Sequence, residues 1–475
     1  MLKFETKNDT AEIQKQLEYI ERGKEIYNKQ KALLGRDLTC NVTTFGCQMN
    51  ARDSEKLSGI LRDIGYVETE SEDADLVIYN TCTVRDNANQ KVYGKLGVLN
   101  GYKRRNPDMK IALCGCMMQE KSVIDKIEHS YKFVDLIFGT HNLYKFPELY
   151  VKMMEASDMV VEVVSSTVTI AEALPVNRKY SYKSGVNIMF GCDNVCTYCI
   201  VPYVRGRERS RDKDEIIEEI KSLVKDGVKE VMLLGQNVNS YGKNLEDKTT
   251  FAELLREVEK VEGLERIRFM TSNPYDLPDE LIEVIRDSKK ICRHLHLPLQ
   301  SGSTEVLKKM NRRHTKEEYL ELVDKIKREI PDISLTTDII VGFPTETHKD
   351  VDDTIDVINK VGFDNAFTFI YSPRTGTPAA RMPMSMTEEE IKFEFDRVLS
   401  AVQENAKKRA ARFKGQTLPV LVEEINEKDS SYVTGRLSSN MLVHFKGDSS
   451  LIGNIVDVRL DECRGFYYYG EMVER

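Results

Sequence analysis

Cys192, Cys196 and Cys199 stand in the order C-x3-C-x2-C within residues 189–211, MFGCDNVCTYCIVPYVRGRERSR. Three thiolates at this spacing can hold three irons of a cubic four-iron, four-sulfur cluster. No fourth cysteine follows in the loop, so the fourth iron stays open to a small chelating ligand. The amino and carboxylate groups of S-adenosylmethionine suit that position. Zinc is the competing reading, because short cysteine-rich tracts often bind it. A structural zinc takes four closed ligands, usually as two pairs, and no second pair adjoins this triplet. Tyr198, directly before the third cysteine, offers a ring that can pack against a purine. Behind the triplet, Arg205 to Arg211 form a basic segment suited to anionic groups.

A second set of cysteines lies nearer the N-terminus: Cys47 in FGCQMN, Cys82 in NTCTVR and Cys116 in CGCMMQ. Each follows a short apolar run of strand type. Small buried cysteines are common in cores, and any one of these alone would be read so. Their shared place at strand ends favours a second cluster, since parallel α/β folds bind ligands outside the carboxyl ends of their strands.

These loops need elements to hold them. Residues 1–36 are rich in Lys and Glu and helical in pattern, a helical extension that either packs on the next domain or stays partly disordered. Short apolar runs at 38–45, 76–80, 110–114 and 136–138 alternate with helical stretches, which predicts a parallel α/β domain over 37–154. Residues 155–183 read as a linker carrying one short strand, 160–164. From 184 to 414 a strand–helix unit recurs, with strands expected at 185–189, 230–234, 266–271, 291–297, 334–341 and 366–371. Six such units predict a partial (βα)6 barrel with ligands at the strand C-terminal ends. The tips carry Gly235-Gln236-Asn237, Ser272-Asn273-Pro274, a run from Pro298 to Ser303, and one from Gly342 to Glu346. Gly admits close backbone approach, and Gln, Asn and Ser supply neutral hydrogen bonds to a zwitterion or ribose. Five short strands in 415–475 predict a small OB-like β-barrel. The fold class is thus multidomain α/β. His294 and His296 form an H-x-H without a matching set of ligands, which favours packing or supporting hydrogen bonds.

Within 475 residues, 69 Lys and Arg against 77 Asp and Glu give a net charge of −8, so the chain is not coated in basic charge. Four local basic groups, at 103–105, 205–211, 308–313 and 407–414, leave an RNA-facing groove open. The 415–475 segment holds six Lys and Arg against ten Asp and Glu, so its charge alone would not make it an RNA binder. No apolar run approaches the length of a membrane span, and the charged N-terminus lacks a signal-peptide core. The ten cysteines then fit a reducing cytoplasm, where such spacing favours metal or catalysis over disulfides.

The motifs FGCQMNARDSE, NTCTVRDNA, GCMMQ and the triplet with its VPYVRGRERSR continuation resemble those of the methylthiotransferases in the radical S-adenosylmethionine superfamily. The likeness runs from about residue 38 to the C-terminus and is greatest to the MiaB-type tRNA methylthiotransferases. It implies two [4Fe-4S] clusters and S-adenosyl-L-methionine. Cys192, Cys196 and Cys199 would hold the radical-generating cluster, and Cys47, Cys82 and Cys116 the sulfur-inserting one. Cys114 is then a strand residue and Cys40 core. The likeness also places the cofactor's methionine part near Gly235 and Gln236, with further contacts near Tyr198, Gln300 and Ser301. The last segment resembles the TRAM domain. The implied reaction is methylthiolation at carbon 2 of N6-isopentenyladenosine in tRNA, served by a low-potential donor such as flavodoxin or ferredoxin and carried out by a monomer. Two related branches act on threonylcarbamoyl-adenosine or on a ribosomal protein. A non-catalytic iron–sulfur RNA-binding protein is the reading from another class.

Overall fold

A computed structural model describes residues 9–83 and 86–473, with no side-chain description for 86–90. Residues 1–8 of the N-terminal extension, Val84 and Arg85 of the second cysteine motif, and the last two residues lie outside it. The extension forms α1 (Thr10–Leu34). Asp9 caps its first turn by accepting from the Glu12 amide, and Gly35 ends it at φ 66°, a left-handed value that glycine adopts without strain. Ile20 and Tyr27 seat this helix on the following domain, where Tyr27 packs against Tyr66.

Six parallel strands make the first sheet: β1 (Thr39–Thr44), β2 (Val67–Glu68), β3 (Leu76–Thr81), β4 (Lys110–Gly115), β5 (Leu136–Phe138) and β6 (Val160–Glu162). Their order is β2-β1-β3-β4-β5-β6. Four match the predicted runs, and β2 is an added edge strand. Val160–Glu162, expected in a linker, instead pairs with β5 and completes the sheet. Between strands run α2 (Gln48–Ile64), α3 (Asp86–Arg105), α4 (Lys121–Ser130) and α5 (Phe146–Glu155). Both faces of β3 and β4 are covered, which is why they read as unbroken apolar runs rather than alternating ones.

The central unit begins with β7 (Lys183–Asn187). It continues through β8 (Met189–Phe190), α6 (Val201–Arg205), β9 (Arg209–Ser210), α7 (Lys213–Lys225), β10 (Glu230–Leu234), β11 (Arg266–Phe269), β12 (His294–His296), β13 (Ser334–Val341) and β14 (Asn365–Ile370). Two parallel sheets, β11-β10-β7 and β12-β13-β14, meet at the single parallel bridge Ile267–Ile291. The result is an open arc of six strands, the expected partial barrel. The antiparallel pair β8–β9 was not anticipated; it folds the segment after the cysteine triplet back onto the strand before it. One large apolar core joins the arc to its helices.

The last unit is a closed barrel of β15 (Thr417–Ile425), β16 (Tyr432–Leu437), β17 (Leu442–Lys446), β18 (Ile455–Cys463) and β19 (Tyr467–Met472). It docks at the N-terminal ends of the central strands. Arg266 donates to the Pro419 and Arg436 carbonyls at 2.7 and 2.8 Å, and Arg268 to that of Leu437 at 2.8 Å and Ser438 at 3.1 Å. Lys183 meets Glu423 at 2.8 Å. The cysteine triplet lies at the opposite end of the arc, after the tips of β7 and β8. Among the described residues no helix is long and apolar enough to cross a membrane.

Candidate functional site

Strands β1, β3 and β4 are neighbours in the first sheet, and Cys47, Cys82 and Cys116 follow their C-terminal ends. Adjacent strands lie about 4.8 Å apart, so three consecutive tips bring three sequence-distant thiols into one small region. Gly46 stands at φ 124°, and a Cβ there would come within 2.5 Å of the Cys82 Cβ, so only glycine lets these two loops approach. Cys47 then stands at the N-cap position of α2, its side chain making no capping bond.

Asn50, one turn into that helix, sits at the centre. Its amide donates to the carbonyls of Phe45 (3.0 Å) and Thr81 (2.9 Å), tying the first loop to the second. Its Oδ1 lies 3.9 Å from both Cys47 Sγ and Cys116 Sγ. From the central unit, Arg205 reaches in. Its Nε contacts Cys116 Sγ at 3.3 Å, and its Nη2 donates to Asn50 Oδ1 at 2.6 Å and Asp53 Oδ2 at 2.9 Å. Burial pushes the Cys116 thiol up to about 11; Arg205 opposes the shift, while Cys47 and Cys82 add to it. Burial works against the Arg205 charge, but Cys116 and Asp53 outweigh it and hold the guanidinium protonated.

The triplet loop is clamped from two sides. The Cys192 amide donates to the Gly206 carbonyl at 3.1 Å, and Asp193 and Glu208 exchange bonds between side chain and amide at 3.2 Å each. On the other side the Thr197 amide donates to the Met310 carbonyl, its hydroxyl to that of Lys309, and Asn311 to that of Val195. Arg312 lies 3.8 Å from Cys196 Sγ and donates to the Pro298 carbonyl at 2.9 Å. Burial pushes Cys192 and Cys199 up to about 12. Such thiols stay protonated unless a cation draws the proton off, which is what iron ligation requires.

The two groups of cysteines are neighbours. Ile200, directly after Cys199, packs with Val204 against Cys116, and α6 carries the chain from the triplet to Arg205. Met49, two residues past Cys47, contacts the Gln236 side-chain amide at the tip of β10. Among the described residues, no three His, Cys, Asp or Glu groups close around the position of a single ion. A cubane spreads its thiolate ligands over three irons, so it needs grouped cysteines of this kind rather than a tight single-ion shell.

Gly235 lies at the mouth of the arc, where a Cβ would sit 2.6 Å from Met189 Cγ; its carbonyl accepts from the Thr271 hydroxyl at 2.8 Å. Gln300, at φ 71°, bridges to β13: its amide donates to the Asp338 carbonyl and its carbonyl accepts from Ile340. Ser301 is fully buried, its hydroxyl 3.4 Å from that of Thr354 and accepting from the Ser303 amide. Tyr198 packs against Val306, Met310, Phe343 and Ala379. His294 and His296 share the Thr336 hydroxyl at 3.0 Å each.

The basic segment differs from its expected role. Arg205, Arg209 and Arg211 are buried, and Arg211 pairs with Glu219 at 2.6 Å, so these charges hold the interior together instead of facing RNA. Arg409 and Arg412 likewise turn to Asp364. The sequence pattern assigned Asn50 no role and showed Arg312 only as part of the basic 308–313 group. Asn50 lies inside the first quoted motif, one helical turn after Cys47, and that spacing was the available signal.

The sequence matches three family models: the Radical SAM superfamily over residues 186–358, Uncharacterized protein family UPF0004 over 39–139, and the TRAM domain over 411–473. It is 62% identical over 441 residues to the tRNA-2-methylthio-N(6)-dimethylallyladenosine synthase of Lachnoclostridium phytofermentans, covering 93% of this chain and 97% of that one. Proteins of the same name from Acetivibrio thermocellus and Clostridioides difficile are 52% and 50% identical. Each alignment covers 97% of this chain, and 96% and 97% of the respective relative. Among solved structures, the radical S-adenosylmethionine methyltransferase TsrM from Kitasatospora setae, with cobalamin and a [4Fe-4S] cluster bound, is similar in fold. The TM-score is 0.52 at 15% identity, over 72% of this chain and 77% of that one.

Proposed function

The chain belongs to the tRNA-2-methylthio-N(6)-dimethylallyladenosine synthase family of radical S-adenosylmethionine enzymes, and from that membership we propose that it methylthiolates carbon 2 of N6-isopentenyladenosine at position 37 of tRNA. Family membership brings one [4Fe-4S] cluster and S-adenosylmethionine. On our reading Cys192, Cys196 and Cys199 hold that cluster, and Cys47, Cys82 and Cys116 hold a second. The observation that carries the proposal is the packing of Ile200 and Val204 on Cys116, which sets the two cysteine groups side by side at one end of the barrel.

A C–H bond at carbon 2 of adenine is neither acidic nor nucleophilic, so acid–base catalysis cannot readily replace it, and radical cofactor chemistry can. When bound, the clusters and cofactor supply a carbon radical, a sulfur atom and a methyl group. The chain's own residues align and shield. Arg205 holds Cys116 and Asn50 in one frame, and Arg312 holds the Cys196 loop against the turn after β12. Ile200 and Val204 keep water from the gap between the groups. On this reading Tyr198, Gly235, Gln236 and Gln300 bind the cofactor, and Ser301, fully buried, supports the loop that carries Gln300. The proposal also includes a cytoplasmic monomer and a low-potential donor of the flavodoxin or ferredoxin class. The names carried by the relatives favour prenylated adenosine over threonylcarbamoyl-adenosine or a ribosomal protein.

Mass spectrometry of nucleosides tests this. Isopentenylated tRNA is incubated anaerobically with reconstituted protein, S-adenosylmethionine, reductant and sulfide. The expected nucleoside is heavier by one sulfur and one methylene. Accumulation of 5′-deoxyadenosine with unchanged adenosines would mean that the substrate is wrong. Neither product, from protein verified to hold both clusters, would overturn the enzymatic reading.

A further inference from the structure

The last strand of the arc, β14, carries two large aromatics that the described residues leave partly exposed. Phe367 is 44% exposed and Phe369 37%. Single exposed apolar residues need no explanation, but two on one face of a barrel strand form a continuous strip. Their direction is fixed by their neighbours. The Phe367 ring lies 5.9 Å from that of His296, and Phe367 is registered beside Asp338. Phe369 is registered beside Ile340, which packs in the Tyr198 cluster next to the cysteine triplet. Ala366, adjacent to Phe367 in the alternation, joins the core on the helix side. Both phenylalanines therefore look into the lumen, on a line that runs from the middle of the barrel toward the triplet.

One polar group accompanies them. His296 uses Nδ1 on the Thr336 hydroxyl and Nε2 toward Asp338 Oδ2 at 3.4 Å, and the Asp338 side chain remains 28% exposed beside Phe367. An acceptor next to an apolar wall complements an N6-alkylated adenine, which offers a single N6–H and a branched hydrocarbon chain on the same nitrogen. We propose that Phe367 and Phe369 form the binding wall for the substrate's N6-dimethylallyl group, with Asp338 accepting the N6–H. The assignment rests on the function proposed above and adds the residues that would tell prenylated from plain adenosine. A plain adenine would leave the strip in water, so the prenyl chain gains affinity by removing apolar surface from solvent.

Binding without turnover tests it. Fluorescence anisotropy would be recorded on the full-length, cofactor-loaded enzyme without reductant. The probes are anticodon stem-loop RNAs with and without the dimethylallyl group. Wild type is expected to prefer the prenylated RNA by about tenfold or more, the scale of small apolar groups in a pocket. Phe367→Ser and Phe369→Ser should bring its affinity down to that of the plain RNA and leave the latter unchanged. Phe367→Tyr keeps the ring but sets a hydroxyl against the chain, and should lower the preference even if a serine variant fails to fold. Phe367→Leu should retain it, and Asp338→Ala should weaken both RNAs alike. Equal losses for both RNAs in the phenylalanine variants would overturn the assignment, as would a wild type without preference. A change of sedimentation in those variants with discrimination intact would show that a second copy of the chain covers the strip. If wild type yields methylthiolated nucleoside yet the serine variants still discriminate, this assignment fails alone; without that product, the broader reading fails first.

Discussion

Each of the six proposed ligand cysteines belongs to a group with neighbours of specific chemistry. Cys116 has Arg205, Cys196 has Arg312, and Cys47 and Cys116 share Asn50. The two groups should separate by function. Cys196→Ala is expected to abolish reductive cleavage of S-adenosylmethionine while the iron content of the other group persists, as read by 5′-deoxyadenosine formation and Mössbauer spectroscopy. Cys82→Ala should spare cleavage and stop methylthiolation; product from that variant would show that the second group is dispensable. Arg205 also has a structural role. Its partner Asp53 is almost wholly buried, so Arg205→Met strands a carboxylate and should cost about 3–5 kcal/mol in the cluster-free chain. Arg205→Met with Asp53→Leu should recover much of that loss in thermal unfolding. Equal melting of the single and double variants would show that the pair does not govern stability.

At the scale of elements, strand tips do the positioning, and one of them carries a titrating group. After β13 the chain turns at Gly342, φ 76°, and Glu346 caps the turn by accepting from the Gly342 amide at 2.6 Å. Burial pushes the Glu346 carboxyl up to about 8, with Asp350 and Glu394 adding to it and the Gly342 amide opposing. The folded state therefore prefers the protonated form. This contribution is fully present below the ordinary glutamate value and is lost as pH rises through about 8, so stability should fall across that window by on the order of a few kcal/mol. Glu346→Gln keeps the accepting oxygen and removes the titration. It should match the parent in thermal unfolding near pH 4.5 and exceed it near pH 8.5. An unchanged difference across that range would mean that Glu346 does not titrate there.

Across the whole molecule, three folded units share one working end. The first sheet lays its cysteine tips beside the barrel mouth, while the small C-terminal barrel closes the far end through Arg266 and Arg268. Arg268 also pairs with buried Glu230 at 2.8 Å. Arg268→Ala therefore leaves a carboxylate and two carbonyls of the C-terminal barrel without their donor, and should loosen that barrel as a unit. Tryptic cleavage at Lys414, in the short link between the two, should quicken by tenfold for roughly every 1.4 kcal/mol of docking lost. Arg459→Ala, which removes only exposed pairs to Asp461 and Glu471, is the control and should leave the rate unchanged. Equal rates for the two variants would show that docking does not depend on the arginine clamp.

Much of this was legible in order along the chain. The spacing of the triplet, the strand-end cysteines, the six barrel strands and the five strands of the last barrel all follow from periodicity and turn residues, which are local properties. Residues 136–138, 230–234 and 334–341 form strands with the predicted limits. What the chain order does not contain is who faces whom. Val160–Glu162 reads as a linker strand because nothing local says that β5 offers it an edge. The arginines of RGRERSR read as an anion-binding face because charge is usually solvated, yet the fold turns Arg205 onto Cys116 and Asp53, Arg209 onto the Thr167 carbonyl and Arg211 onto Glu219, and leaves Arg207 exposed. Asn50 and Arg312 acquire meaning only when distant segments converge on them. Sequence alone determined the elements and the chemical inventory, through short-range sterics and hydrophobic period. Only the tertiary structure decided which thiols, charges and aromatic faces meet, because burial and hydrogen-bond partners are set by contacts between residues far apart in the chain.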